Sequence, residues 1–155
     1  LLRMMLDRFS AVFRPEYRER ARELGMSVHE AVTLASIVEK EAQSPAERAV
    51  ISAVFHNRLK RGWRLESDPT VKYVLADPPQ VLSLRDIQVD SPYNTYRYAG
   101  LPPGPIAAPG EASIQAALYP ADVDYLYFVA RNDGTHHFST TYREHLAAKR
   151  RFQGR

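Results

Sequence analysis

The sequence contains no cysteine, and its net charge is only +3. Without cysteine it has neither a disulfide framework nor a thiolate site, an absence that fits either side of a membrane. The basic residues are spread along the chain, so charge alone does not predict a nucleic-acid-binding protein. No apolar run approaches the roughly 20 residues that a membrane-spanning helix requires. The chain opens at Leu1 instead of methionine, and we expect an excised fragment whose signal or anchor lies upstream.

What the sequence does contain is enough material for one core. Its 155 residues suit a single domain, and 45% apolar and 25% charged residues are typical of an ordinary soluble globular protein. No internal repeat and no low-complexity tract is present. We therefore expect residues 1–155 to form one domain.

The first sixty residues carry helix signals. Residues 1–24 have apolar side chains at helical spacing, with a break near Pro15. Ser27-Val28-His29-Glu30 is a capping box that predicts a helix running to about Gln43. Ser44-Pro45-Ala46-Glu47 repeats the signal with proline at the first helical position, which predicts a third helix.

The rest of the chain has a different character. Residues 62–110 hold most of the prolines, with short helices expected from Asp68-Pro69 and near Ser83, and the stretch 93–110 is too rich in proline and glycine for a regular element. A short helix should follow near 111–119. The segments YLYFVA and THHFST, joined by Asn132-Asp133-Gly134, predict a hairpin, and residues 141–153 predict a last helix with a basic tail. The sequence thus predicts an α+β fold, mostly helical, with one small β-hairpin.

Two glutamates lie near the end of the second predicted helix. On a helical wheel Glu41 falls within the apolar face formed by Leu34, Ile37 and Val38, whereas Glu39 lies on its flank. Burial and the negative end of the helix dipole should both raise the pKa of Glu41. A carboxylic acid that stays protonated near neutral pH is what a general acid requires, so Glu41 is the catalytic candidate.

The periodicity by itself also permits a simpler reading of Glu41. A glutamate on an apolar helix face can form a structural ion pair, and Arg48, Arg58 and Arg64 are available for it. The wheel alone favours this structural role, and further evidence is needed to choose catalysis.

Four blocks of sequence carry a specific resemblance. In chain order they are LASIVEKEA (34–42), VFHNRLKRGWRLESDPTVKY (54–73), SPYNTYRYAGLPPGPIAAPG (91–110) and YLYFVARNDGTHHFSTTYREH (125–145). Together they resemble the YceG-like family, the endolytic murein transglycosylases, over about residues 28–147. The resemblance implies a lysozyme-like catalytic fold that acts on the glycan strands of peptidoglycan.

The resemblance and the helical wheel select the same residue. Lytic transglycosylases generally place one catalytic glutamate near a helix end, followed by serine or threonine, and Glu41-Ala42 occupies that place here. Ala42 departs from the pattern because it has no hydroxyl group. Glu39 also belongs to the motif, and a role in orienting its neighbours or holding a nearby charge stays open.

The mechanism implied by the resemblance needs a single carboxyl group. Glu41 would protonate the oxygen between N-acetylmuramic acid and N-acetylglucosamine, and would then take the proton of the muramyl C6 hydroxyl. That hydroxyl would close on C1 and leave a 1,6-anhydro end, without the second carboxylate of ordinary glycosidases. We expect no cofactor and no metal, because the sequence offers no ligand cluster with metal spacing.

Three residues of the proline-rich loop are candidates for binding sugar. Tyr93, Asn94 and Tyr96 could stack on a sugar face and hydrogen-bond its acetamido groups. The alternative is a loop anchored by its tyrosines.

Five further residues are weaker candidates. Asp68 and Thr70 could bind substrate, although Asp68 more simply caps a short helix. Asn57 could hold Glu41 or Glu39 in place, or be a plain surface amide. His136 matches a family position and could line the groove or be structural, and Trp63 could be a sugar platform but is better explained as a plug behind Gly62.

Partners and location are implied by the resemblance alone. It implies an anchor in the cytoplasmic membrane formed by one upstream helix, with this domain on the extracytoplasmic side. It also implies work beside the peptidoglycan synthases on nascent strands. Two rival functions stay open: a hydrolytic muramidase, with Glu39 or Asp68 as second carboxylate, and a peptidoglycan-binding module without catalysis. A nucleic-acid binder is a distant alternative.

Overall fold

The computed structural model describes residues 1–154. Within these residues the helices and strands are, in chain order, α1 Leu2–Val12, α2 Pro15–Glu23, α3 Val28–Glu41, α4 Arg48–Lys60, α5 Asp68–Val74, α6 Glu111–Leu118, β1 Tyr127–Ala130, β2 His136–Ser139 and α7 Tyr142–Gln153. The mostly helical α+β fold with one hairpin is therefore confirmed. Over the same residues, no helix is both long and apolar enough to cross a membrane. The predicted basic tail includes Arg155, which lies outside the described residues.

The helix starts follow from local sequence signals. The capping box at α3 forms as predicted: Glu30 N donates to Ser27 Oγ at 3.0 Å and Ser27 N donates to Glu30 Oε1 at 3.1 Å. Thr141 and Glu144 make the same pair of contacts at α7. Helix α3 ends at Glu41, two residues earlier than predicted.

The cap predicted at Ser44 is wrong in detail. Residues Pro45–Glu47 form a 3₁₀ turn before α4, and the Ser44 side chain makes no capping hydrogen bond. The helix itself is present and is followed by Gly62, whose φ of +68° is a left-handed conformation that favours glycine.

The structure of residues 62–110 agrees with the prediction made from their proline and glycine residues. Helix α5 starts at Asp68, a short 3₁₀ turn spans Asp86–Gln88, and residues 93–110 form no regular element. The expected capping role of Asp68 is wrong: Ser67 is the N-cap residue, and its side chain makes no capping hydrogen bond.

The hairpin is short and antiparallel. Tyr127 pairs with Ser139 and Ala130 pairs with His136, so both strands are shorter than predicted. Asn132, in the turn, has a φ of +65°, a conformation that asparagine tolerates better than most residues. The hairpin packs against α7 and α4.

Helix α3 is the central element of the core. Its residues Leu34, Ala35, Ile37 and Val38 are fully buried, and it packs most extensively against α6 and also against α4, α5 and α2. Because α3 is surrounded, the side chains at its C-terminal end must emerge between other elements. This packing directs Glu39 to α6 and Glu41 to the start of α5.

Candidate active site

Glu41 ends helix α3 beside the N-terminus of α5. Ser67 Oγ donates a 2.7 Å hydrogen bond to Glu41 Oε1. The pKa of Glu41 is raised to about 7, mainly by burial of the carboxyl group and also by the nearby charge of Asp68, while the Ser67 hydrogen bond and Lys72 oppose the shift. The Glu41 carboxyl group can therefore hold a proton near neutral pH, unlike an exposed glutamate.

Glu39 is in the opposite electrostatic state. Its Oε2 accepts hydrogen bonds from Ser113 Oγ at 2.5 Å and from Gly110 N at 3.2 Å. The Ser113 hydrogen bond, aided by that from Gly110, keeps the pKa of Glu39 below its usual value. An ionised carboxylate at the N-terminus of α6 is stabilised by the exposed N–H groups there. Glu39 thus fastens α6 to α3.

The ion-pair reading of Glu41 is not supported by its contacts. Among residues 1–154, Glu41 forms no ion pair with an arginine. Arg58 instead donates to the carbonyl oxygens of Leu126 and Arg64 and pairs with Glu66 at 3.6 Å. The ion pair with Arg48, Arg58 or Arg64 that the sequence permitted is therefore not formed.

Ser67 is a site residue that sequence reasoning missed. Its neighbour Glu66 has a φ of +53°, an uncommon conformation for a residue with a side chain. Glu66 N donates to Thr95 O at 3.1 Å and Ser67 N donates to Thr95 Oγ1 at 2.9 Å, so the proline-rich loop fixes this backbone. The sequence signal that could have indicated such a residue is Ala42. Because residue 42 has no hydroxyl group, Glu41 needs a hydrogen-bond donor from elsewhere in the chain.

Asp68 and Tyr96 lie in the same cavity as Glu41. Tyr96 Oη donates a 2.5 Å hydrogen bond to Asp68 Oδ1. Burial first, and then the Asp68 carboxylate, raise the pKa of Tyr96, so the phenol stays protonated as the donor. The structure thus brings Glu41, Asp68 and Tyr96 together in one cavity.

His136 lines this cavity from the hairpin. Its Nδ1 hydrogen-bonds to Glu47 Oε2 at 2.8 Å, and its backbone N donates to Glu47 Oε1 at 2.9 Å. Its ring meets Phe128 edge-on, with centroids 5.3 Å apart. His136 is therefore a rigid part of the cavity wall.

Two predicted substrate contacts are wrong because the side chains are fully buried. Thr70 Oγ1 donates to Ser67 O at 2.7 Å and contacts Thr95 Oγ1 at 2.8 Å. Asn94 Nδ2 donates to Ile87 O and Val89 O. Both side chains have their hydrogen-bonding groups inside the protein and hold the site's framework.

Asn57 and Tyr93 are also placed away from the candidate acid. Asn57 Nδ2 donates to Val123 O and Tyr125 O, both at 2.9 Å, so the prediction that it holds a glutamate is wrong. Tyr93 is half-buried and packs against Tyr73, with ring centroids 4.9 Å apart, which fits the loop-anchor alternative.

Three adjoining cavities form a groove. The central cavity, about 510 Å³, contains Glu41 and shares Arg58 and Glu66 with a cavity of about 520 Å³, which we call the aromatic cavity. It also shares Asp68 and Tyr96 with a cavity of about 880 Å³, which residues 81–84 line and which we call the loop cavity. Glu41 therefore lies in the cavity that adjoins both of the others, and we call the three cavities together the groove.

The chain is similar to known proteins over most of its length. The model of the YceG-like family matches residues 1–151. The endolytic murein transglycosylase of Bacillus subtilis (strain 168) is 43% identical over 136 residues, 88% of this chain and 38% of that protein. The protein of the same name from Streptococcus pneumoniae serotype 2 is 37% identical over 119 residues, 74% of this chain and 22% of that protein.

A solved structure is similar as well. The crystal structure of a yceG-like protein from Listeria monocytogenes superposes with a TM-score of 0.78 at 47% identity, covering 86% of this chain and 43% of that one. The chain spans less than half the length of each of these relatives. Since the family model matches nearly every residue, the chain belongs to the YceG-like family.

Proposed function

We propose that this chain is the catalytic domain of an endolytic lytic transglycosylase. Its substrate would be the glycan strand of peptidoglycan, cut between N-acetylmuramic acid and N-acetylglucosamine to leave 1,6-anhydromuramyl ends. The observation that carries the proposal is the Glu41 carboxyl group, which lines the central cavity and has its pKa raised to about 7. The names of the relatives support the same activity.

The first step is general acid catalysis. Protonated Glu41 donates its proton to the glycosidic oxygen while the bond from that oxygen to muramyl C1 breaks, with the electron pair leaving on the oxygen. The muramyl ring becomes oxocarbenium-like, and Glu41 becomes a carboxylate. Ser67 contacts Oε1 and leaves Oε2 for the proton transfer.

The second step uses the same carboxyl group as a base. Ionised Glu41 takes the proton of the C6 hydroxyl, whose oxygen forms a bond to C1 and closes the anhydro ring. Glu41 is then protonated again, and no water is consumed. Because the attacking hydroxyl belongs to the same sugar, its effective concentration is high and no second carboxylate is required.

The shape of the groove supports cutting within a strand. It includes the aromatic cavity and the loop cavity, each of which adjoins the central cavity that contains Glu41. An extended glycan can therefore lie across the acid with sugars on both sides of the cut bond. We also propose that the enzyme cuts nascent strands and thereby limits their elongation.

A hydrolytic muramidase is the second candidate, favoured by the position of Asp68. Asp68 lies in the cavity of Glu41 and raises its pKa. A second carboxylate is what a hydrolase needs to activate water or to act as nucleophile. Glu39 is unsuited to this role, because its carboxylate is held by α6.

The context of the whole protein is a further part of the proposal. We propose that a single-pass anchor in the cytoplasmic membrane lies upstream of this chain and that the catalytic domain has a lysozyme-like fold. We also propose that the protein acts beside the peptidoglycan synthases. Membership of the YceG-like family supports these three points.

Product analysis tests the reaction. Purified peptidoglycan would be digested with the parent chain, with Glu41→Gln and with Glu39→Gln as the matched control, and the products resolved by mass spectrometry. We expect anhydromuramyl ends from the parent and the control and none from Glu41→Gln. Free reducing ends would select the muramidase. The absence of cleavage by the parent would contradict both enzymes.

A further inference from the structure

The aromatic cavity has a wall of exposed rings beside the candidate active site. Trp63, expected from the sequence to be a plug, is 38% exposed, and Tyr142 is 60% exposed. Tyr127 lies between them, with its ring centroid 6.2 Å from that of Trp63 and 5.9 Å from that of Tyr142. These three residues come from the α4–α5 connection, the hairpin and α7, so folding assembles this surface.

Two of the rings have neighbours packed over their faces. Arg61 lies over Trp63 with its guanidinium carbon 5.6 Å from the ring centroid, and Arg58 lies over Tyr127 at 5.2 Å. The His145 ring stacks on Tyr127 with centroids 5.0 Å apart. Because these contacts restrict the side chains before any ligand arrives, binding would cost little additional conformational entropy.

The chemistry of this cavity suits a saccharide. Flat aromatic faces cover the apolar C–H face of a pyranose ring, while polar groups around them hydrogen-bond its hydroxyl and acetamido groups. Arg64, Glu66 and Arg97 supply such groups in the same cavity. Its volume of about 520 Å³ matches that of small-molecule sites.

The position of the cavity connects it to the reaction. It shares Arg58 and Glu66 with the central cavity, so the rings lie in a cavity that adjoins the one containing Glu41. We propose that Trp63 and Tyr142 form a saccharide subsite. This subsite binds the strand at a point distant from the cleaved bond and so selects long strands over short ones. This inference rests on the proposed function.

The single tryptophan of the chain makes the subsite directly observable. In a Glu41→Gln background, alternating N-acetylglucosamine and N-acetylmuramic acid oligosaccharides would be titrated while the fluorescence of Trp63 and the heat of binding are recorded. We expect the octasaccharide to shift the fluorescence and to bind more tightly than the disaccharide. Heat of binding for the octasaccharide without any fluorescence change would contradict the subsite.

Matched variants separate the subsite from general glycan binding. Trp63→Ala and Tyr142→Ala should each weaken octasaccharide binding about tenfold, the effect expected for losing one stacked ring. The disaccharide, bound only at the central cavity, should be unaffected. Tyr119→Ala is the control, because Tyr119 is 42% exposed but packs near Tyr17 outside the groove. Unfolding midpoints of all variants would show that they are folded.

The failure of the subsite is distinguishable from the failure of the function. If the parent cleaves peptidoglycan and both alanine variants bind the octasaccharide as tightly as Tyr119→Ala does, the subsite inference is wrong and the transglycosylase proposal survives. If the parent neither cleaves peptidoglycan nor binds the octasaccharide, both are wrong.

Discussion

Ser67 Oγ and Glu41 Oε1 are joined by a 2.7 Å hydrogen bond between residues 26 positions apart in the sequence. The donor lies at the start of α5 and the acceptor at the end of α3. Ala42, next to Glu41, has no hydroxyl group, so a residue from another element supplies the donor. This relationship fixes one carboxyl oxygen and tunes the pKa of the candidate acid.

Replacing Ser67 by alanine should move the pH profile of cleavage to higher pH. The Ser67 hydrogen bond lowers the pKa of Glu41, so its loss leaves the acid protonated to a higher pH. The alkaline limb of the kcat/KM profile, expected near pH 7 in the parent, should therefore shift to higher pH. In addition, kcat should fall about tenfold, because the Glu41 carboxylate that acts in the second step loses its hydrogen-bond donor. Ser52→Ala is a control, since the Ser52 hydroxyl is buried without a partner among residues 1–154. An unchanged limb would contradict the tuning role.

Replacing Asp68 by asparagine should move the same limb to lower pH. The charge of Asp68 raises the pKa of Glu41, and asparagine removes that charge while its Oδ1 can still accept from Tyr96. For a lytic transglycosylase we expect cleavage to persist with a shifted profile. Loss of all cleavage in a folded Asp68→Asn protein would instead indicate the second carboxylate of a muramidase.

Replacing Glu41 by glutamine should abolish cleavage and stabilise the fold at alkaline pH. The folded pKa of about 7 exceeds the value of 4.5 expected when unfolded, so the parent loses stability as pH rises from about 4.5 to 7. Glutamine does not titrate, and the variant should gain about 3 kcal/mol above pH 7 and nothing below pH 4.5. Urea unfolding at pH 4 and pH 8 measures this difference. If the parent and Glu41→Gln differ in stability by the same amount at pH 4 and at pH 8, Glu41 is not desolvated.

Replacing Glu39 by glutamine should have the reverse effect. The pKa of Glu39 is lowered by its bonds to Ser113 and Gly110, so its stabilising contribution is present above its unfolded pKa and is lost on acidification. The variant keeps an acceptor but loses the charge at the α6 N-terminus, and should lose about 1 kcal/mol at pH 7. Cleavage should continue in the folded protein. Inactivation without any loss of stability would instead assign Glu39 a part in the reaction.

The order of the helices and the inward face of α3 were determined by the sequence itself. The capping box at Ser27 acts within four residues, the break near Pro15 follows from its ring, and the end of α4 is marked by Gly62. The apolar face that contains Glu41 repeats with the period of one helix. Such signals depend on neighbours along the chain, so they are legible before folding.

The tertiary structure alone decided which side chains meet. Asn94 and Thr70 lie in segments without periodicity, and only packing shows that their polar atoms are used inside the protein. Ser67 reaches Glu41, and Ser113 reaches Glu39, because α5 and α6 pack against α3 from different directions. Two glutamates separated by one residue thereby acquire opposite pKa shifts. Contacts over such sequence separations depend on the relative positions of whole elements, which no local pattern encodes.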